Sequence, residues 1–212
     1  GKGELGAGST PSFCEHRIEY KFPISAEFKA WKAAGEYRGQ NAFAQFLDQR
    51  RFELVDPLDV EEIPKDSIMY DVLIRALSRD KRNDPKAHRA SVFASPDDIM
   101  QLVESLSGHS RTKFREVKTD RFGGMKAIIE KEGTVDGDEK IPSLFLVSVS
   151  AFVGGAILTL PARIRAQVTD KGLQLAAELV GVDRVLEMAF EEACSEAAAQ
   201  TGCKVFRGSP EA

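Results

Sequence analysis

The chain has 212 residues, of which 42% are hydrophobic and 29% charged, an ordinary globular balance with enough length to bury a core unaided. A formal charge of −4 and a pI near 5.6 exclude a general pull toward nucleic acid or anionic lipid, so either role requires a local basic patch. No stretch approaches the roughly 18 unbroken apolar residues of a membrane-spanning helix, and no signal peptide is visible.

Residues 1–12 are rich in Gly and Ser with little to bury, and read as a flexible arm or exposed loop. Residues 13–212 then form one α+β domain. From 17 to 22 the chain alternates, with Ile18, Tyr20 and Phe22 on one side and Arg17, Glu19 and Lys21 on the other, the period of a half-buried strand. Pro23 stops it, and Ser25 is placed to cap a short helix carrying Phe28 and Trp31. Gly35 and Gly39 break that helix. A second runs from about Asn41 to Asp56-Pro57, with Phe43, Phe46, Leu47 and Leu54 on one stripe.

Residues 57–94 differ from their surroundings and read as an insertion. They open on Asp59, Glu61 and Glu62, pass a short helix around Ile68 to Leu77, and turn basic at Arg75, Arg79, Lys81, Arg82, Lys86 and Arg89. Ser95-Pro96-Asp97-Asp98 is the sharpest local signal: a capping serine, proline at the first helical position and two acids at the positive helix end. That helix runs to Leu106, and Gly108 closes it.

The remainder reads as mainly β. Strands at 114–118 and 126–131 flank Phe122-Gly123-Gly124, and a polar link from Gly133 to Lys140 follows. The apolar run from Leu144 to Phe152 reads as a central strand, turned at Gly154-Gly155. The next strand puts Leu158, Leu160, Ile164 and Val168 on one side and Thr159, Arg163, Arg165 and Gln167 on the other. Asp170-Lys171-Gly172 leads into its partner at 173–180. Asp183 is expected to cap a last helix whose stripe includes Val185, Leu186, Ala189, Phe190, Ala193, Cys194, Ala197 and Ala198, with Glu187, Glu191, Glu192 and Glu196 facing water. Gly202 ends it, and 204–207 is a candidate edge strand. The expected architecture is a mainly antiparallel sheet, closing in a C-terminal β-meander and covered by helices that include the C-terminal amphipathic one.

Several stretches resemble the YfdQ-like family of uncharacterised phage and prophage proteins. They are Cys14-Glu15-His16-Arg17 leading to Ala26-Glu27-Phe28-Lys29-Ala30-Trp31, and Gln40 with Phe43-Ala44-Gln45-Phe46-Leu47-Asp48. The Ser-Pro-led helix at 95–106 and Leu160-Pro161-Ala162-Arg163-Ile164-Arg165 add to these, as do Ala189-Phe190-Glu191-Glu192-Ala193 and the ending Gly208-Ser209-Pro210-Glu211. The resemblance spans most of the chain outside 57–94. It implies a phage-related setting, a further N-terminal region ahead of this chain, and no catalytic residue.

Candidate chemistry is sparse. Cys14 and His16 share one strand face, but two ligands fall short of the roughly four that a structural zinc site needs. His88 and His109 fall in loops. The three cysteines have no metal-like spacing, and read as buried small hydrophobes of a reducing compartment. Gly-x-Ser-x-Gly and phosphate-loop motifs are absent, and Asp136, Asp138 and Glu139 lack the spacing of a calcium loop. The expectation is therefore no enzyme, no metal and no cofactor. Candidate contacts to nucleic acid or a partner are Arg75, Arg79, Lys81, Arg82, Lys86, Arg89, Arg163 and Arg165, against the plainer reading of a solvated, salt-bridged face. No aromatic residue interleaves with them, since Trp31 and the Phe residues fall on core stripes.

Two functions follow as expectations. The first is a non-enzymatic phage- or prophage-derived protein acting by self-assembly or by binding a phage or host protein, as a homo-oligomer away from membranes. The second is a nucleic-acid-binding accessory protein of phage recombination or replication, which the net charge does not favour. The expected location is the cytoplasm, or a particle assembled there.

Overall fold

The computed structural model describes residues 22–57, 63–65, 67, 70–71, 93–108, 113–119, 125–131 and 134–205. Ser25 begins the first element. Its hydroxyl accepts the Phe28 amide at 3.0 Å and donates to the Ser150 carbonyl at 2.6 Å. One buried serine thus caps helix α1 (Ala26–Ala33) and ties it to the sheet. Phe28 and Trp31 leave this helix fully buried.

Strand β1 (Arg38–Gly39) and helix α2 (Gln40–Gln49) follow. Phe43, Ala44, Phe46 and Leu47 form the buried face of α2. The helix is shorter than its stripe suggests. It ends at Gln49, a 3-10 turn occupies Arg51–Glu53, and Leu54 belongs to strand β2 (Leu54–Val55). Leu54 is buried through sheet pairing with Val147, so the same apolar residue satisfies a helical spacing while standing on a strand.

The Ser95 cap is a reciprocal box. The Ser95 hydroxyl accepts the Asp98 amide at 3.2 Å, and Asp98 accepts from the Ser95 amide and hydroxyl at 2.9 and 2.8 Å. Those bonds, the backbone one first, hold the Asp98 carboxyl below its usual range. Helix α3 (Pro96–Gly108) buries Ile99, Leu102, Val103 and Leu106 and packs on α2.

Six strands complete the fold: β3 (Lys113–Thr119), β4 (Met125–Lys131), β5 (Thr134–Ile141), β6 (Leu144–Ser150), β7 (Ile157–Thr169) and β8 (Gly172–Leu179). They divide between two antiparallel sheets, ordered β1-β8-β7-β6-β2 and β3-β4-β5, where a single sheet was expected. The segment expected as a polar link is β5, paired with β4 along its length. It lies at a sheet edge, where backbone pairing and not apolar alternation holds a strand, so its polar sequence conceals it. Strand β7 is long enough to serve two partners. Its first half pairs with β6 and its second with β8, while β3 packs against β7 and β8.

Ile164, Ala162, Leu160, Ala177, Leu175, Phe145, Val147 and Val149 join the main core with the buried faces of the helices. Leu144, Leu146 and Ala176 alternate with them and are buried on the other face. This fold is α+β with antiparallel sheets and a C-terminal helix, as expected. The outer neighbours of β8 and β6 are the two-residue β1 and β2, with further backbone bonds from Ala177 to Ala34 and from Ala94 to Leu144. Short capped edges of this kind resist strand addition.

Helix α4 (Val182–Thr201) departs from expectation at its start. Its N-cap is Gly181 at φ 74° with no side-chain bond, and Asp183 sits in the first turn. The left-handed corner out of β8 takes the capping position, and glycine adopts that φ without strain. Gly202 ends the helix at φ 65°, as expected. Val185 alone is buried on α4, and Leu186, Ala189, Phe190, Ala193, Ala197 and Ala198 are half-buried. Lys204 and Val205 are exposed and form no strand. Of the short helix expected near 68–77, Tyr70 and Asp71 are described and are helical, with the Tyr70 amide bonded to the Ser67 hydroxyl at 3.1 Å. Of the strand expected at 17–22 only Phe22 is described, and it is not part of a strand; its other residues, the arm expected at 1–12 and nearly all of 57–94 lie outside the described residues.

Candidate contact surfaces

Arg163 and Arg165 project from β7 on the face opposite the main core, across from Glu178 and Ala176 of β8. Arg165 is already committed. Its Nε lies 3.3 Å from Glu178, its guanidinium donates to the Gly35 carbonyl at 3.2 Å, and it stacks 5.5 Å from the Tyr37 ring. It also lines a cleft of about 520 Å3 with Lys32, Glu178, Asp183 and Arg184. Arg184 is held by Asp71 at 2.8 Å. Three cations therefore meet three carboxylates, which leaves little net field to recruit an anion. The basic run Arg75, Arg79, Lys81, Arg82, Lys86 and Arg89 lies outside the described residues, as do His16, His88, His109, Cys14 and Arg207.

The remaining thiols depart from the buried reading: Cys194 is half-buried on α4 and Cys203 is exposed. Among the described residues no group of three or more His, Cys, Asp or Glu side chains is placed to hold a metal, and no helix is long and apolar enough to cross a membrane.

Two surfaces emerge that the sequence reading did not single out. The first is the β6–β7 turn. Residues 151–158 carry no polar side chain, and 153–157 are exposed throughout, with Val153 at 60% and Ile157 at 75%. Exposed turns ordinarily carry polar side chains that bond their own backbone. Here the Ser150 hydroxyl lies 2.6 and 3.0 Å from the Phe152 and Gly155 carbonyls, and the Val153 amide donates to Pro23 at 2.8 Å. A Cβ on Gly155 would come within 3.3 Å of both the Phe152 carbonyl and the Ser150 hydroxyl, so a side chain there would crowd the tight turn. The tip is thus held in shape and left apolar. Phe22 links it to α4, with its ring 5.5 Å from Phe152 and 5.2 Å from Phe190.

The second surface is the corner between α2 and β2. The Glu53 carboxylate accepts the Trp31 indole N–H on one oxygen and Arg50 on the other, the latter at 2.6 Å. Arg38 and Arg50 stack on the Phe46 ring at 4.9 and 5.8 Å. Beyond them Phe52 is 89% exposed, with the Arg51 guanidinium 5.2 Å from its ring centre. Trp31 and Phe46 do belong to the core, as their stripes require, but Phe52 does not.

Each surface left a trace in the sequence: an uninterrupted apolar run across a Gly-Gly turn, and a Phe directly after Arg50-Arg51. No curated protein and no solved structure matches the chain. The family pattern nevertheless extends from residue 4 through both sheets and the region around 57–94, and by that match over residues 4–210 the chain belongs to the family described as "Uncharacterized conserved protein (DUF2303)".

Proposed function

We propose that this is a non-enzymatic protein that works by assembling with further copies of itself, in a phage- or prophage-derived setting. The observation that carries self-assembly is the exposed apolar tip at 153–157. The exposed apolar side chains of such a hydrogen-bonded turn contribute little to their own fold, and mark a surface that another molecule covers. The tip alone is smaller than the roughly 800 Å2 per partner of a stable interface. The half-buried flank of α4, continuous with it through Phe22, extends the surface.

A second copy fits this surface better than a lipid bilayer. No charged residue lies between Ile141 and Ala162, so two identical tips meet without buried charge. The solvent side of α4 carries Glu191, Glu192 and Glu196, which repel anionic headgroups. The phage setting rests on the resemblance to the YfdQ-like family alone.

Light scattering after size exclusion tests the reading. The wild type is expected to be oligomeric at micromolar concentration. The double variant Val153→Ser, Ile157→Thr should shift toward the monomer with unchanged circular dichroism. A wild type that stays monomeric at high concentration, or a double variant that assembles normally, removes the proposal.

A further inference from the structure

We infer that the α2–β2 corner is a contact site for single-stranded nucleic acid, with Phe52 as a stacking platform and the Arg51 and Arg38 guanidiniums as phosphate contacts. Phe52 has the largest exposure of any large hydrophobic side chain among the described residues, and it sits in a 3-10 turn closed by the Glu53 amide on the Arg50 carbonyl at 2.9 Å. Glu53, the next residue, is fixed by Trp31 and by Arg50, and Leu54 after it is pinned to Val147. An exposed ring on a fixed backbone costs little conformational entropy when something stacks on it, and every base presents a flat face to do so.

Cations and rings alternate along this corner: Arg38, Phe46, Arg50, then Arg51 and Phe52. Glu53 neutralises Arg50, which belongs to the scaffold. Arg51 and Arg38 have no such carboxylate among the described ion pairs, and Arg38 donates to the Ala33 carbonyl at 3.0 Å with its charge left unneutralised there. The solvent face of α2 beside them shows Asn41, Ala42, Gln45, Asp48 and Gln49, with one acid among them. This corner therefore sets interleaved aromatic and basic side chains beside a nearly fully exposed ring, whereas Arg165, stacked on Tyr37, spends its charge on Glu178. A single strand fits better than a duplex because ring stacking requires an unpaired, accessible base.

Fluorescence anisotropy with a labelled oligothymidylate of about 20 nucleotides tests the site. The wild type should bind at low salt and release the probe as potassium chloride rises. Phe52→Ala should weaken binding roughly 5- to 100-fold, Phe52→Trp should restore it, and neither should alter oligomeric state. Arg51→Gln should flatten the salt dependence by about 0.7 in log–log slope, the loss of one phosphate contact. The inference is overturned if the wild type leaves the probe free at low salt, or if Phe52→Ala binds as well as wild type. It is equally overturned if a duplex of the same length competes as strongly as the single strand.

Discussion

Helices α3 and α4 follow the same sequence rule and reach different ends. Each carries an apolar stripe at helical spacing and acidic residues in its first turn. In its 13 residues α3 buries four large aliphatic side chains and starts from a reciprocal serine–aspartate cap. In its 20 residues α4 buries Val185 alone and starts from a bare left-handed glycine. A stripe tells which side of a helix turns inward, but how much it contributes depends on side-chain size and on what stands opposite. The alanines of α4 offer little area, and the sheet reaches only its early turns, where Val185, Leu186 and Ala189 join the core.

The sharpest test of this contrast is a matched pair of truncations. Leu102→Ala in α3 should cost about 2–5 kcal/mol in denaturant unfolding, because its side chain is 2% exposed and surrounded by core. The matching change in half-buried Leu186 should cost about 1 kcal/mol or less. Equal losses would break the comparison. Next in size is Gly181→Ala, which forces a side chain into φ 74° and should cost about 1–2 kcal/mol, read as a lower melting temperature. Ser95→Ala should cost about 1 kcal/mol by removing the hydroxyl that caps α3.

The smallest effect is a pH dependence. Folding lowers the Asp98 pKa from its ordinary 3.8, through the Ser95 amide first and its hydroxyl second. Its contribution is therefore fully present above that value and is lost as pH falls through the lowered folded value. The stability gap between wild type and Asp98→Asn should narrow in acid below about pH 4. A gap constant from neutral pH to pH 2 would detach Asp98 from the cap. Hydrogen exchange sharpens the contrast further: amides in the last turns of α4 should exchange well before those of α3.

Much of the fold was legible because its signals are local. Ser25 and Ser95 announced their helices through the geometry of a hydroxyl near free amides, and the alternation of Leu158 through Val168 announced β7. The candidate surfaces were far less legible. Arg165 reads as a free cation until Glu178 and Gly35 are brought beside it, and Phe52 reads as one more core aromatic until α2 stops short at Gln49.

By itself the sequence determined the strands with clear alternation, the capped starts of α1 and α3 and the glycine stop at 202, since each depends on residues only a few positions apart. Only the tertiary structure decided that the strands divide between two sheets, that polar β5 belongs to one of them, and that Leu54 leaves its helix for a strand. It also decided that the apolar turn at 153–157 ends in solvent. A side chain's period sets the direction it faces, whereas its burial and its free charge depend on partners distant along the chain.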